Sequence, residues 1–248
     1  MSDYSVTGEG IPQLRETGSP DSSEGRINIW VIDINSQLPV LASYVQILTA
    51  EEMSYAARFH QKKDAQQFII TRAILKILLA DTLTVEPREI HITQAKNKKP
   101  VLAEHQEIHF NVSHSDNQAV IAIARQRIGI DVEFVKPNFD YQSVADYTFS
   151  DEESDYLKQS ASPRQEFFRL WTRKEAFLKG MGSGLINELN TISCMPEGDK
   201  IPVKINGLTS NWELTTIDIN SGYIMSIAFE PSAAGNQIFL FDFSQAAL

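Results

Sequence analysis

The chain has 248 residues, 42% of them hydrophobic, and carries a formal net charge of -10. This is enough apolar material for the core of one large domain or two small ones. An acidic balance argues against sequence-independent binding to nucleic acid or to an anionic membrane, because both require a basic surface. The single cysteine, Cys194, excludes an internal disulfide and any multi-cysteine metal site. Since we find neither a membrane-spanning run nor a signal-peptide pattern, we predict a soluble cytoplasmic protein.

The N-terminal part of the sequence predicts an arm followed by a strand and two helices. Residues 1–25 are rich in Gly, Ser, Glu and Pro and hold only isolated apolar residues, which predicts a flexible arm. The apolar run Ile29–Ile32 predicts a strand. A capping-box pattern at Thr49–Glu52 predicts a helix that continues to about Phe59. Apolar residues at helical spacing predict a longer helix over Lys62–Leu83.

The middle of the chain changes to the period of a β-strand. We predict strands over Ile108–Val112, Ala119–Ala124 and Ile128–Val135. Turn-forming residues predict a loop at Ser113–Asn117 and a second one near Arg125–Arg127.

The C-terminal part starts again with helices and ends in strands. Ser150–Glu153 is a second capping box, and Ser162-Pro163 predicts the start of a helix that extends through Lys179 to a group of glycines, Gly180, Gly182 and Gly184. The remaining apolar runs predict antiparallel strands near Ile192, Ile201–Ile205, Trp212–Ile219, Tyr223–Phe229 and Ile238–Phe243. The order of elements therefore indicates an α+β fold with helices packed on sheets.

Three acidic residues are candidates for a metal site. Asp131 and Glu133 lie two positions apart on a predicted strand, so both side chains point to one face. Glu175 lies in an apolar helical stripe, where a carboxylate is costly unless a positive charge meets it. Lys179 follows one helical turn later. Taken alone, Asp-x-Glu is more often a solvated strand face, and Glu175 with Lys179 could be an ordinary surface pair.

Four short motifs occur in an order that identifies a family. Lys98–Pro100, Asn111–Ser115, Gly129–Glu133 and Trp171–Lys179 closely resemble the motifs of the 4'-phosphopantetheinyl transferases, in particular the surfactin-synthetase-activating type. The resemblance extends from about Ile29 to Phe243. It implies a monomer of two similar α+β halves, at residues 26–127 and 128–248, that binds coenzyme A and a magnesium ion at their junction.

The resemblance also implies a reaction. Such enzymes transfer the 4'-phosphopantetheine arm of coenzyme A to a serine of an apo acyl or peptidyl carrier protein and release 3',5'-ADP. A hard cation that bridges pyrophosphate oxygens takes carboxylate ligands, so Asp131, Glu133 and Glu175 are expected to bind Mg²⁺, with Mn²⁺ as a substitute. Asp131, Glu175 and Lys179 are the expected catalytic residues: Glu175 as the base for the serine, directly or through a metal-bound water, and Lys179 to offset charge on the leaving group.

Further positions of the family match residues that are expected to bind coenzyme A. Ser113 and His114, in the predicted turn, are expected to face the nucleotide, as is Lys99, while Lys98 replaces a glycine of the family pattern. Tyr55 stands where relatives often carry a basic residue for the 3'-phosphate. Arg58, three residues later on the predicted helix, is its expected substitute. Lys179 is expected to contact the pyrophosphate oxygens that the metal ion bridges.

Two groups of residues have simpler interpretations. Glu153 and Lys174 match recurrent family positions, although each could merely cap or solvate a helix. Trp171 and Cys194 are expected to fill the core. For the docking of a carrier protein, which is commonly acidic, we predict a local basic or apolar patch. The candidates for a basic patch are Arg164, Arg169, Arg173 and Lys174 on one helix.

Two alternatives to a transferase remain open at this point. The same carboxylates could serve a metal-dependent phosphohydrolase that acts on a nucleotide or on coenzyme A. The chain could also be a non-catalytic module that binds nucleotide or carrier protein, with the acidic residues only structural.

Overall fold

The structure, a computed structural model, describes residues 23–95, 97–182, 189–197, 201–219 and 222–243, with the backbone of residues 2–6 and 13–16. In the first part of the chain the elements are β1 (Ser2–Val6), β2 (Gln13–Glu16), β3 (Arg26–Asp33), α1 (Ile34–Gln37), α2 (Leu41–Ile47), α3 (Ala50–Ala56), α4 (Lys62–Leu83), β4 (Ile92–Gln94), β5 (Pro100–Leu102), β6 (His109–Ser115) and β7 (Gln118–Ala124). In the second part they are β8 (Ile128–Phe134), α5 (Tyr141–Thr148), α6 (Asp151–Gln159), α7 (Pro163–Met181), β9 (Ile192–Ser193), β10 (Pro202–Ile205), β11 (Leu208–Ile219), β12 (Tyr223–Phe229) and β13 (Gln237–Asp242). None of the helices in these ranges is long and apolar enough to cross a membrane.

Two sheets pack face to face, and each is covered by helices on its outer side. The first sheet has the order β2-β1-β13-β3-β7-β6, the second has the order β8-β12-β11-β10-β9, and β4 and β5 form a separate hairpin. Side chains of β7 alternate between the two faces of the first sheet. Ile121 and Ile123 pack with α4 on one face, whereas Val120 and Ala122 pack against the second sheet on the other. Helix α7 covers the other face of the second sheet. The predicted α+β class is therefore confirmed.

The last strand departs from the predicted arrangement. Instead of extending an antiparallel second half, β13 pairs in parallel with β3, so the chain returns to the first sheet. Residues 2–6 and 13–16, predicted as part of a flexible arm, form β1 and β2, with β1 paired to β13. Composition misses such strands because backbone hydrogen bonds to an open sheet edge require no particular side chains.

Two predicted boundaries also change. The strand β6 continues through Ser113 and His114 to Ser115, which pairs with Gln118, so the turn contains only Asp116 and Asn117. Asp116 has a φ of 51°, a conformation that aspartate tolerates in tight hairpins. Ser113 and His114 were predicted to lie in the turn, but they are residues of the strand.

The helices that were predicted are close to their predicted bounds, with differences at their ends, whereas α1, α2 and α5 were not predicted. The helix α4 has the predicted bounds, whereas α3 ends at Ala56, so Arg58 lies beyond the helix on which it was predicted. Pro163 opens α7 and Gly182, with a φ of 69°, ends it. Gly180 lies inside this helix, and Gly184 lies outside the described residues.

A contact between two glycines sets the position of α7 on the second sheet. A Cβ on Gly129 of β8 would lie 2.1 Å from Ala176 O and 2.1 Å from Gly180 N, both on the α7 backbone. A Cβ on Gly180 would lie 2.4 Å from the ring of Trp212. Only glycine at both positions allows this approach, which places the C-terminal turns of α7 directly over β8.

A buried ion pair joins α6 to α7. Glu153 and Lys174 are 0% and 1% exposed, and Lys174 Nζ lies 2.6 Å from Glu153 Oε2. Lys174 Nζ also donates to Thr148 O and Leu189 O, at 2.8 and 2.9 Å. Glu153 completes the second predicted capping box, which forms with Ser150. Burial lowers the pKa of Lys174, while the Glu153 carboxylate opposes that shift. The pair therefore serves the packing of these helices.

Gly129→Ala is expected to destabilise the fold by about 1–3 kcal/mol, because its methyl group would force strand and helix apart. Gly207→Ala is the control, since Gly207 has a φ of 78° but no atom within 4 Å of an added Cβ. It carries conformational strain without a clash. Urea unfolding of both variants measures the difference; equal losses would contradict the close-contact argument.

Lys174→Met is expected to cost about 3–5 kcal/mol of unfolding free energy, because it leaves the Glu153 charge buried without its partner. The same change at Lys158, whose side chain is 74% exposed beside Asp155, provides the control. Guanidinium unfolding measures both, and Glu153→Gln added to Lys174→Met is expected to recover part of the loss. Comparable stability of the two single variants would show that the buried pair is unimportant.

Candidate active site

The two edge strands β6 and β8 present polar side chains to each other. On β8, Ile130 and Val132 point into the core between the sheets, so Asp131 and Glu133 share the opposite face, as predicted. Ser113 Oγ donates to Asp131 Oδ1 at 2.8 Å, and Ser115 Oγ donates to Glu133 Oε2 at 2.6 Å. The two carboxylates thus each have a serine of β6 as a neighbour.

Lys179 of α7 closes a cluster of three side chains. Its Nζ lies 2.6 Å from Asp131 Oδ1 and donates to Ser113 Oγ at 2.9 Å. Asp131 is only 4% exposed, whereas the side chain of Lys179 is 30% exposed. The structure therefore brings together three of the predicted site residues, from two strands and a helix that are distant in sequence.

The pKa values of the three acidic residues show that their charges interact. Burial is the largest cause in each case and raises the pKa of Asp131, Glu133 and Glu175. The charges of Asp131 and Glu133 raise the pKa of Glu175 further, and Asp131 also raises that of Glu133. Lys179 opposes the shift in all three. Three acidic side chains thus lie close together, and the single positive charge of Lys179 only partly compensates them.

The carboxylate oxygens of Asp131, Glu133 and Glu175 are the atoms that could bind a metal ion. Within the described part of the chain, no three His, Cys, Asp or Glu side chains are grouped so that they could hold a metal ion as they stand. Asp131 Oδ2, however, is buried and has no hydrogen-bond partner. An unsatisfied buried carboxylate oxygen beside two further carboxylates fits the ligand chemistry of a hard divalent cation. The metal site remains a prediction.

A cavity opens beside this cluster. It has a volume of 290 Å³, and Glu175, Lys179, Asn111 and Lys99 line it. A second cavity of 360 Å³ shares Lys99 and Pro100 with the first, and apolar residues in and around β5 and β6 make up most of its lining. Space for a small ligand thus adjoins the carboxylates and Lys179.

Lys99 lies at this cavity but its amine is already engaged. Its Nζ donates to Ile128 O and to Gly180 O, both at 3.1 Å. Burial, and next the charge of Arg127, lower its pKa to about 8. Lys98 has a φ of 64°, in the left-handed region that glycine adopts freely, which explains how lysine here accompanies a family pattern with glycine.

Residues that the sequence analysis did not single out cap the C-terminus of α7. Asn97 donates its side-chain amide to Gly182 O, and Arg127 donates to Met181 O at 3.1 Å. With Lys99, these residues satisfy carbonyls that a helix end leaves without partners. Their sequence positions, in two separate loops, carry no signal for this role.

His114 and Arg58 differ in their relation to the cluster. His114 points to the other face of β6 from Ser113; partial burial and the charge of Lys179 lower its pKa, so the imidazole lies within the field of the site. Arg58 is exposed, with its guanidinium 6.0 Å from the ring of Tyr55, which packs on Phe68. Among the described residues, no contact joins Arg58 to the carboxylates, Ser113 or His114.

The predicted basic patch for carrier docking is wrong. Arg173 is buried and donates to Thr216 Oγ1 at 2.9 Å, and Lys174 belongs to the buried ion pair. Arg169 pairs with Asp218 at 2.5 Å, and Arg164 donates to the Phe139 carbonyl at 2.6 Å. The clustering of cations in sequence does not place them on one surface, because successive helical residues point in different directions.

Comparisons with known proteins agree with the motif order. The model of the 4'-phosphopantetheinyl transferase superfamily matches residues 127–228, and that of the 4'-phosphopantetheinyl transferase N-terminal region matches residues 35–126. A protein of Synechocystis sp. named after this family, slr0495, is 31% identical over 81% of this chain and 86% of its own. The 4'-phosphopantetheinyl transferase HetI of Nostoc sp. is 32% identical over 64% of this chain and 70% of its own.

A third relative bears on the subtype. The 4'-phosphopantetheinyl transferase Sfp of Bacillus subtilis is 25% identical over 74% of this chain and 83% of its own. This identity is lower than that of slr0495 and HetI, so the surfactin-synthetase-activating type stays a prediction. The two family models together cover residues 35–228, and the chain belongs to the 4'-phosphopantetheinyl transferase family of enzymes.

Proposed function

We propose that this enzyme, as a transferase of the surfactin-synthetase-activating type, moves the 4'-phosphopantetheine arm of coenzyme A to a serine of an apo acyl or peptidyl carrier protein, with Mg²⁺ and with release of 3',5'-ADP. The observation that carries the proposal is the cluster of Asp131, Ser113 and Lys179, which lies beside Glu175 and next to a cavity. Attack on a pyrophosphate is promoted mainly by positioning and by neutralisation of charge.

Asp131, Glu133 and Glu175 are the residues that would hold the cation. When bound, Mg²⁺ would neutralise pyrophosphate oxygens, and Mn²⁺ is expected to substitute for it. The raised pKa values of the three side chains match a set of carboxylates that needs an added positive charge. The unpaired Asp131 Oδ2 supports the same assignment.

The chain's own groups handle the proton and the leaving group. In the transfer, the carrier serine oxygen forms a bond to the β-phosphorus of coenzyme A, and the bond from that phosphorus to 3',5'-ADP breaks. Glu175 lines the cavity and has a raised pKa, which suits a base that accepts the serine proton. Lys179 lines the same cavity and is expected to offset the charge that develops on the ADP oxygen.

Four residues are proposed to position or contact the coenzyme. Lys99 lines both cavities, and its amine keeps the backbones of β8 and α7 together at the place where a phosphate would lie. Ser113 and His114 occupy adjacent positions of β6. Ser113 accepts a hydrogen bond from Lys179, and the charge of Lys179 lowers the pKa of His114. Arg58 is retained as a proposed contact of the 3'-phosphate, on its position alone.

A mass-shift assay tests the function. The purified enzyme is incubated with coenzyme A, Mg²⁺ and an apo carrier protein, and the carrier is expected to gain the mass of one phosphopantetheine group. Release of 3',5'-ADP from coenzyme A without any gain of mass would favour the phosphohydrolase. Binding of the coenzyme without turnover would favour a non-catalytic module.

Lys179→Met is expected to lower kcat by about 10²–10³-fold, because it removes a positive charge that acts on the transition state. Lys204→Met is the matched control: Lys204 pairs with Glu197 and its side chain is 33% exposed, close to the 30% of Lys179. Initial rates of transfer at saturating substrates measure the effect. A kcat within a few fold of the wild-type value for Lys179→Met would exclude this role.

The Mg²⁺ concentration for half-maximal rate is expected to rise as the pH falls into the mildly acidic range. Carboxylates must lose their protons to bind metal, and the raised pKa values of Asp131, Glu133 and Glu175 extend that competition above the usual range of acidic residues. Each displaced proton contributes up to about tenfold per pH unit. Mg²⁺ titrations at several pH values measure this, and a constant half-maximal concentration would contradict the three-carboxylate site.

A further inference from the structure

The seam between the two sheets is made by side chains. Strands β6 and β8 are edge strands of different sheets, and they lie side by side without forming a backbone ladder. Asn111 Oδ1 accepts the hydrogen bond of Ile130 N at 2.8 Å, and Ser115 Oγ accepts that of Phe134 N at 3.1 Å. Asn111, Ser113 and Ser115 alternate along β6, so one face of this strand supplies all of these contacts.

Ser115 uses its hydroxyl in both directions. It is 8% exposed, accepts from the Phe134 amide and donates to Glu133 Oε2 at 2.6 Å. A backbone amide is a rigid donor, and it occupies one lone pair of this hydroxyl oxygen. The hydroxyl proton therefore points in a defined direction, toward the carboxylate. The Glu133 side chain is thereby tied to the backbone of its own strand through a residue of the other sheet.

Ser113 differs from Ser115 in the partner that orients it. Its hydroxyl accepts from Lys179 Nζ, a side chain that is 30% exposed and lines the cavity. Any phosphate that draws Lys179 away would free Ser113 to turn. Ser115 has no such dependence, because its donor is an amide of β8.

We propose that Ser115 is a positioning residue that orients the Glu133 carboxylate for a divalent cation. With Oε2 held by the hydroxyl, Glu133 has one defined rotamer instead of several, and its other oxygen keeps one direction. A hydrogen bond of this kind to a metal-ligating carboxylate typically changes metal affinity tenfold or more. The inference rests on the proposed function, since it assumes that Glu133 binds the cation.

Direct binding of Mn²⁺ to the free enzyme, followed by electron paramagnetic resonance, tests the inference without reference to turnover. Ser115→Ala is expected to raise the Kd for Mn²⁺ by about 10–100-fold. Ser115→Thr keeps the hydroxyl and suits a strand, so its Kd is expected to stay within about threefold of the wild-type value.

Ser226→Ala is the matched control. Ser226 is a buried serine of β12 that pairs with Asp131 in register, but its hydroxyl bonds Thr172 and Thr216 at 2.8 and 3.0 Å. Its loss is expected to lower stability to a similar degree and to leave the Kd for Mn²⁺ unchanged. A general loosening of the fold would affect both variants alike.

The possible failures are distinguishable. Wild-type Mn²⁺ affinity in Ser115→Ala, or equal weakening in Ser115→Ala and Ser226→Ala, would overturn the positioning role while leaving the proposed transferase intact. A wild-type enzyme that transfers phosphopantetheine but binds no Mn²⁺ would overturn the metal role and the inference with it. A wild-type enzyme that binds Mn²⁺ and shows no transfer would contradict the proposed reaction but not the metal site or the role of Ser115.

Discussion

The contact of Gly129 with Gly180 is the constraint on which the site depends. Because neither residue has a Cβ, the backbone of α7 lies on β8 at the distance of direct contact. This places Lys179 next to Asp131 and Glu175 within the field of both strand carboxylates. A larger residue at Gly129 would push α7 away from β8 and separate Glu175 and Lys179 from the strand carboxylates. The carbonyl caps from Lys99, Asn97 and Arg127 keep the end of the same helix in place.

Buried charge is used for two different purposes in this fold. Glu153 with Lys174 is a closed pair whose hydrogen bonds are satisfied by each other and by backbone groups, so it contributes to packing. Asp131, Glu133 and Glu175 form an open set: burial raises each pKa, repulsion from neighbouring carboxylates adds to the shift of Glu133 and Glu175, and Asp131 Oδ2 lacks a hydrogen-bond partner. All five residues match recurrent positions of the family, so sequence position alone does not separate their roles. The difference in hydrogen bonding and charge compensation does separate the structural pair from the candidate catalytic set.

Much of the local structure could be predicted because it depends on short-range patterns. The helix Lys62–Leu83, both capping boxes and the shared face of Asp131 and Glu133 follow from the periodicity of side chains and the chemistry of helix ends. The bounds of the hairpin at Asp116 and the parallel pairing of β13 with β3 were not predicted, although both strands of the hairpin and β13 itself were. Strand ends and pairing partners depend on the register with distant segments, which local propensity does not encode. The basic patch failed for a similar reason, because neighbours in sequence point to different environments.

The amino-acid sequence by itself determined the family, through four ordered motifs, and the identity of the acidic and basic side chains proposed to act. It could do so because these motifs are short and each residue type is tied to a chemical task. Only the tertiary structure decided which charges are open and which are paired, that Lys99 holds two carbonyls, and that Ser115 connects one sheet to a carboxylate of the other. Burial and hydrogen-bond partners are properties of segments that meet in space, and they arise when the two sheets and α7 pack together.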